Sequence, residues 1–102
     1  MAVHPTAVID RTAVIDAAAE IGAYAVIEQQ ARVGAQARIL AHAFVAGFTT
    51  IGRRCVVHPF AVVGHVPQDL KFRGEESYTE IGDETVIREH ATVHRGTESG
   101  SR

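Results

Sequence analysis

From Val3 to Val63, every sixth residue is Val or Ile: Val3, Ile9, Ile15, Ile21, Ile27, Val33, Ile39, Val45, Ile51, Val57 and Val63. The residue two places before each, beginning at Ala7, is always small. Ala fills that position throughout except at Thr49 and Cys55. Two residue classes locked to one period of six leave few ways for the chain to fold. Side chains at i−2 and i lie on the same face of a strand, because successive side chains alternate. Each hexad therefore turns one small and one branched aliphatic residue to one side. The residue between them, such as Val8, Glu20, Arg32, Arg38 or Thr50, faces the other way and varies freely. A helix would need apolar spacing near 3.6 and is excluded.

The rest of each hexad must turn a corner. Gly recurs there, at Gly22, Gly34, Gly52 and Gly64, and Asp10 and Asp16 read as turn residues. Three hexads make one triangular coil, so residues eighteen apart stack at the strand spacing of about 4.8 Å. A hexapeptide period of this kind specifies an all-β parallel β-helix.

The pattern covers residues 1–63 and breaks at Gly64. Residues 64–80 are rich in polar residues and place Pro67 and Arg73 in slots that demand a small side chain. This stretch reads as one protruding loop, and long ordered loops in compact domains usually serve function. The repeat resumes over residues 81–97, led in by Thr79, through Ile81, Ile87 and Val93, and residues 98–102 read as a frayed terminus. Nothing after Val93 resembles a capping repeat, so a truncated coil or reliance on self-association is expected. Phe44 faces outward by the pattern. With Val56 and Val62 it is expected to form an apolar wall for a neighbouring subunit.

The chain has 102 residues and a formal charge of −2, which gives no electrostatic case for nucleic acid or an anionic membrane. No basic leader or long apolar run is present, so no membrane span is expected and a cytoplasmic location is the default. The lone Cys55 sits in the small inward slot and reads as a packing residue. Six histidines are scattered, no two of them eighteen apart, so no metal site and no cofactor are assigned. Gln68, Asp69, Lys71 and Arg73 place an amide, a carboxylate and two cations within six residues of the loop. Such a set can hydrogen-bond a sugar and pair with phosphate, or can be ordinary loop polarity.

The run Gly64-His65-Val66-Pro67-Gln68-Asp69-Leu70-Lys71-Phe72-Arg73-Gly74-Glu75, with Ile87-Arg88-Glu89-His90-Ala91-Thr92-Val93-His94-Arg95-Gly96-Thr97, resembles the acyl-ACP:UDP-N-acetylglucosamine O-acyltransferases. The resemblance covers nearly the whole chain and implies the N-terminal part of such an enzyme. It implies a homotrimer that moves a 3-hydroxyacyl group from acyl carrier protein to the 3-hydroxyl of UDP-N-acetylglucosamine, the first step of lipid A biosynthesis, without a metal. Known hexapeptide-repeat proteins also imply a left-handed coil. By the same resemblance Gln68, Asp69, Lys71 and His94 contact substrate. The family's catalytic histidine lies on a later coil, so no catalytic residue is assigned and the chain alone is expected to be inactive. The alternatives are a non-catalytic self-assembling β-helix module or another hexapeptide acyltransferase of the same pathway.

Overall fold

The computed structural model describes residues 2–65 and 78–94, with the side chains of His65 and His94 excepted. Strands form where the small–variable–aliphatic triplets fall. The first coil carries β1 (Ala2–Val3), β2 (Val8–Ile9) and β3 (Val14–Ile15). The second carries β4 (Glu20–Ile21), β5 (Val26–Ile27) and β6 (Arg32–Val33). The third carries β7 (Arg38–Ile39), β8 (Phe44–Val45) and β9 (Thr49–Ile51). The fourth carries β10 (Val56–Val57), β11 (Val62–His65) and β12 (Thr79–Ile81). Finally come β13 (Val86–Ile87) and β14 (Thr92–His94).

These strands stack into three parallel walls. The first wall is β1-β4-β7-β10-β13, the second β2-β5-β8-β11-β14 and the third β3-β6-β9-β12. Register is eighteen residues through the early coils, with Ile21 paired to Ile39 and Ile39 to Val57. Beyond β11 the partners lie thirty apart: Ile51 pairs Ile81 and Val57 pairs Ile87. Two hexads' worth of chain has been set aside between β11 and β12, and the coil closes without them.

The inward column is buried from Ile21 to Ile87. Ile21 is 3% exposed, and Ile39 and Val57 are 0% exposed. The small column beside it (Ala25, Ala31, Ala37, Ala43, Ala61) is equally buried, which lets three walls meet on a narrow interior. Cys55 is buried among them, and its thiol donates to the Gly82 carbonyl at 3.0 Å, a packing role.

Most corners are four-residue turns closed by a backbone hydrogen bond, as from Ala13 N–H to the Asp10 carbonyl at 2.9 Å and from Ala19 N–H to the Asp16 carbonyl at 3.0 Å. Asp10 and Asp16 accept from the N–H groups of Thr12 and Ala18 at 2.9 and 2.8 Å, the expected turn chemistry. Apart from Gly64, the left-handed backbone does not fall on the corner glycines. It falls two residues later, on Tyr24, Gln30, Gln36, His42, Phe48, Arg54, Phe60, Glu84 and His90, with φ between 57° and 66°. An L-residue held there costs about 1–2 kcal/mol. Bonds to the preceding coil offset this: the N–H of His42 donates to Ala23 at 2.9 Å and that of Arg54 to Ala35 at 2.9 Å.

Stacking these corners builds a ladder of rings. Tyr24 and His42 lie 5.2 Å apart and nearly parallel, His42 and Phe60 5.0 Å, and Phe60 and His90 5.5 Å. The corner between the second and third walls holds an edge-to-face pair instead, Phe48 and Tyr78, at 5.6 Å. The outward apolar row differs from the expected grouping. Val56 belongs to the first wall, whereas Phe44 and Val62 line the second with Val8 and Val26. The spacing from Phe44 to Val56 is two hexads, which moves a residue to a different wall.

Candidate functional site

The ordinary stacking fails at one place, the end of β11. Val62 faces Thr92 and Val63 faces Val93, but His65 faces His94, so Gly64 is an extra residue bulged out of the pairing. Gly64 has φ +79°, and a Cβ there would lie 2.1 Å from the Thr49 hydroxyl oxygen. Only glycine satisfies both conditions. The bulge ends the hexad rhythm of the second wall. The sequence reading assigns Gly64, His65, Thr79 and Glu80 to the loop, yet these four residues still belong to strands.

The bulge also sets His65 opposite His94 in the backbone register. Spacing alone hides this pairing, because the set-aside residues shift register and the two histidines are neither eighteen nor thirty apart. Of the residues singled out from sequence, His94 therefore sits at the end of β14, beside the strand that leads into the Gln68–Lys71 run. Gln68, Asp69 and Lys71 themselves lie outside the described residues. Gln68 follows His65 by three residues.

Two threonines floor this corner. Thr49 and Thr79 occupy the small inward slot of adjacent coils and are 0% and 2% exposed. The Thr49 hydroxyl reaches the Gly47 carbonyl at 3.5 Å, and the Thr79 hydroxyl has no hydrogen-bond partner among the described residues. Away from this corner, His58 Nδ1 lies 3.4 Å from the Glu89 carboxylate. A hydrogen bond from its own backbone N–H, aided by Arg88 and His58, holds the Glu89 carboxyl below its ordinary value. Among the described residues no group of three or more His, Cys, Asp or Glu side chains is placed to hold a metal ion. No helix there is long and apolar enough to cross a membrane.

Comparison with known proteins agrees with this geometry. The bacterial transferase hexapeptide family (six repeats) matches residues 30–65. Structurally, the chain superposes on UDP-N-acetylglucosamine O-acyltransferase (LpxA) from Moraxella catarrhalis with a TM-score of 0.90 and 42% identity, over 97% of this chain and 38% of that one. LpxA from Acinetobacter baumannii gives 0.89 and 46%, over 95% and 38%. These fold relatives are left-handed parallel β-helices, and the fold of this chain is of that class, with hexapeptide repeats matched over residues 30–65.

Within the class it is a relative of the acyl-[acyl-carrier-protein]–UDP-N-acetylglucosamine O-acyltransferases. It is 52% identical to the Caulobacter vibrioides protein of that name over 98% of this chain, and 42% identical to the Syntrophobacter fumaroxidans protein, also over 98%. The chain spans about two fifths of these relatives, 38% and 39% of their length.

Proposed function

We propose that this chain is part of a homotrimeric, cytoplasmic acyltransferase that uses acyl carrier protein as donor and UDP-N-acetylglucosamine as acceptor, at the first step of lipid A biosynthesis. In that reaction the sugar 3-hydroxyl oxygen forms an ester bond to the 3-hydroxyacyl carbon. The thioester C–S bond breaks, and the hydroxyl proton ends on the carrier thiol. The substrate loop lies within residues 64–80, between the strand that ends at His65 and the one that begins at Thr79, with coils 1–63 and 81–97 on either side. Gln68, Asp69 and Lys71 belong to the sugar-nucleotide site together with His94. Asp69 accepts a hydrogen bond from a sugar or acyl hydroxyl, and Lys71 supplies positive charge to the substrate.

One observation supports this reading above the others. The bulge at Gly64 turns the second wall's strand into the Gln68–Lys71 run beside the strand that ends at His94, within a chain 52% identical to a named acyltransferase. None of the residues assigned here acts as general base, so acid–base chemistry belongs to groups outside this set.

Calorimetric titration with UDP-N-acetylglucosamine tests the reading. Binding is expected, weakened at least tenfold by Asp69→Ala and by Lys71→Ala, with no acyl transfer by the 102-residue chain. Unchanged affinity in both variants, or robust turnover, would contradict it. The uncharged outward row of the second wall favours a second reading, a non-catalytic self-assembling module. That reading predicts association without nucleotide-sugar binding.

A further inference from the structure

One corner of this coil is fastened differently from the rest. From Ala7 to Ala43, the N–H of each small corner alanine donates to the carbonyl three residues earlier, so the turn holds itself. The Thr79 N–H instead donates to the Phe48 carbonyl of the preceding coil, at 3.3 Å. The Thr79 hydroxyl is buried and has no hydrogen-bond partner among the described residues. Thr85 fills the same slot one hexad on, and its hydroxyl donates to the Gly82 carbonyl at 2.8 Å. The chain therefore re-enters the third wall tied to the coil below it.

Phe48 supplies that tie. Its own N–H donates to the Gln29 carbonyl at 3.0 Å, which fixes it to the coil beneath. Its ring meets the ring of Tyr78 edge-to-face, with centroids 5.6 Å apart and planes at 87°. That arrangement sets the positive edge of one ring against the negative face of the other. Strand pairing here begins only at Thr79, opposite Thr49, so the ring contact reaches one residue further toward the loop. The other end of the loop is held by the bulge at Gly64 and the pairing of His65 with His94.

We infer that Phe48 and Tyr78 are positioning residues for sugar-nucleotide binding: they fix the return end of the segment that carries Gln68, Asp69 and Lys71, and neither touches the ligand. The inference rests on the proposed function and adds residues outside the polar run that set its affinity. The physical reason is entropic. A segment that must adopt one arrangement to bind gives up conformational freedom, and fixing both of its ends in advance lowers that cost. Gln68, Asp69 and Lys71 lie between His65 and Tyr78 in the chain. With the return end released, the same polar groups are ordered from a wider ensemble, and affinity falls although no contact to the ligand is lost. The ladder of Tyr24, His42, Phe60 and His90 provides the contrast. Each of those rings precedes an alanine whose N–H closes its own turn, so removing one costs packing and releases no loop end.

The test reads the anchor and the affinity separately. Wild type is compared with Phe48→Leu and Tyr78→Ala, which remove a ring from the pair, with Phe48→Tyr, which keeps both, and with Phe60→Leu, which removes a ring from the ladder. Amide hydrogen exchange followed by nuclear magnetic resonance reads the anchor without ligand. In Phe48→Leu and Tyr78→Ala the Thr79 amide should exchange at least tenfold faster. The Gly52 amide, which donates to the Ile81 carbonyl at 2.9 Å further along the same strands, should stay within twofold and so reports that each variant is folded. Calorimetric titration with UDP-N-acetylglucosamine reads affinity. It should weaken at least fivefold in Phe48→Leu and Tyr78→Ala, and stay within twofold of wild type in Phe48→Tyr and Phe60→Leu.

Unchanged Thr79 exchange in either ring-removing variant of the pair would overturn the anchor, as would exchange that quickens equally at Gly52. Faster Thr79 exchange with unchanged affinity would overturn the positioning role. An equal loss of affinity in Phe60→Leu would mean a general loosening of the coil and would overturn it too. If wild type binds no UDP-N-acetylglucosamine, the proposed function falls and the positioning role with it, while Thr79 exchange still decides whether the pair anchors the strand.

Discussion

At the residue scale, two glycines of similar appearance in sequence have opposite weight. A Cβ on Gly64 would meet the Thr49 oxygen at 2.1 Å, and its φ of +79° is strained for any L-residue. A Cβ on Gly82 would meet nothing within 4 Å. Urea unfolding should show Gly64→Ala destabilised by about 2–4 kcal/mol, the strain and clash together, and Gly82→Ala within about 0.5 kcal/mol. Equal effects would mean that the bulge is not where the chain leaves the coil. Sequence marked Gly64 as a corner like Gly22, Gly34 and Gly52 and could not single it out, because the difference comes from Thr49, a coil away. Asp10 gives a pH-dependent case. Hydrogen bonds from the Thr12 N–H and then the Thr12 hydroxyl, with Arg11 nearby, hold its carboxyl below the ordinary 3.8. A depressed folded-state value means that stabilisation is present above about pH 4 and is lost as pH falls through the folded value. The stability difference between wild type and Asp10→Asn should therefore shrink below pH 4. A difference that grows with acid would reverse the assignment.

At the element scale, the walls were legible and the corners were not. The triplets that make strands announce themselves by a two-residue relation within each hexad, and the inward placement of Ile21, Ile39 and Val57 follows directly. The ring ladder escaped notice because its members lie eighteen, eighteen and thirty residues apart at a slot with no fixed chemistry. Thr6, which accepts the Tyr24 N–H at 3.0 Å, fills the same slot in the first coil. The signal was available in Tyr24, His42 and Phe60, all multiples of six. His42 has a ring on either side at 5.2 and 5.0 Å. His42→Ala should cost about 1–2 kcal/mol, since each stacked pair contributes about 0.5–1.5. Gln36→Ala, at the same turn position of another corner but without a ring neighbour, should cost under about 0.5 kcal/mol. Equal costs in thermal unfolding would leave the ladder without energetic meaning.

At the scale of the whole molecule, one discontinuity organises the rest. Hexads fix the prism, and the chain must also decide what to do with residues that do not suit it. Pro67 and Arg73 fall in slots reserved for small side chains, so stacking them would drive an imino ring and a guanidinium into the dry interior. The coil instead sets two hexads aside and resumes with Thr79 and Ile81 over Thr49 and Ile51. The break was legible from composition. Its consequence, the pairing of His65 with His94, was not, because it depends on a one-residue bulge. Cross-strand nuclear Overhauser effects in isotopically labelled protein measure this register directly. Contacts should link Ile51 to Ile81, Val57 to Ile87 and Val63 to Val93. Contacts linking Ile51 to Asp69, eighteen residues on, would mean that the coil runs straight through and that no polar excursion leaves the second wall.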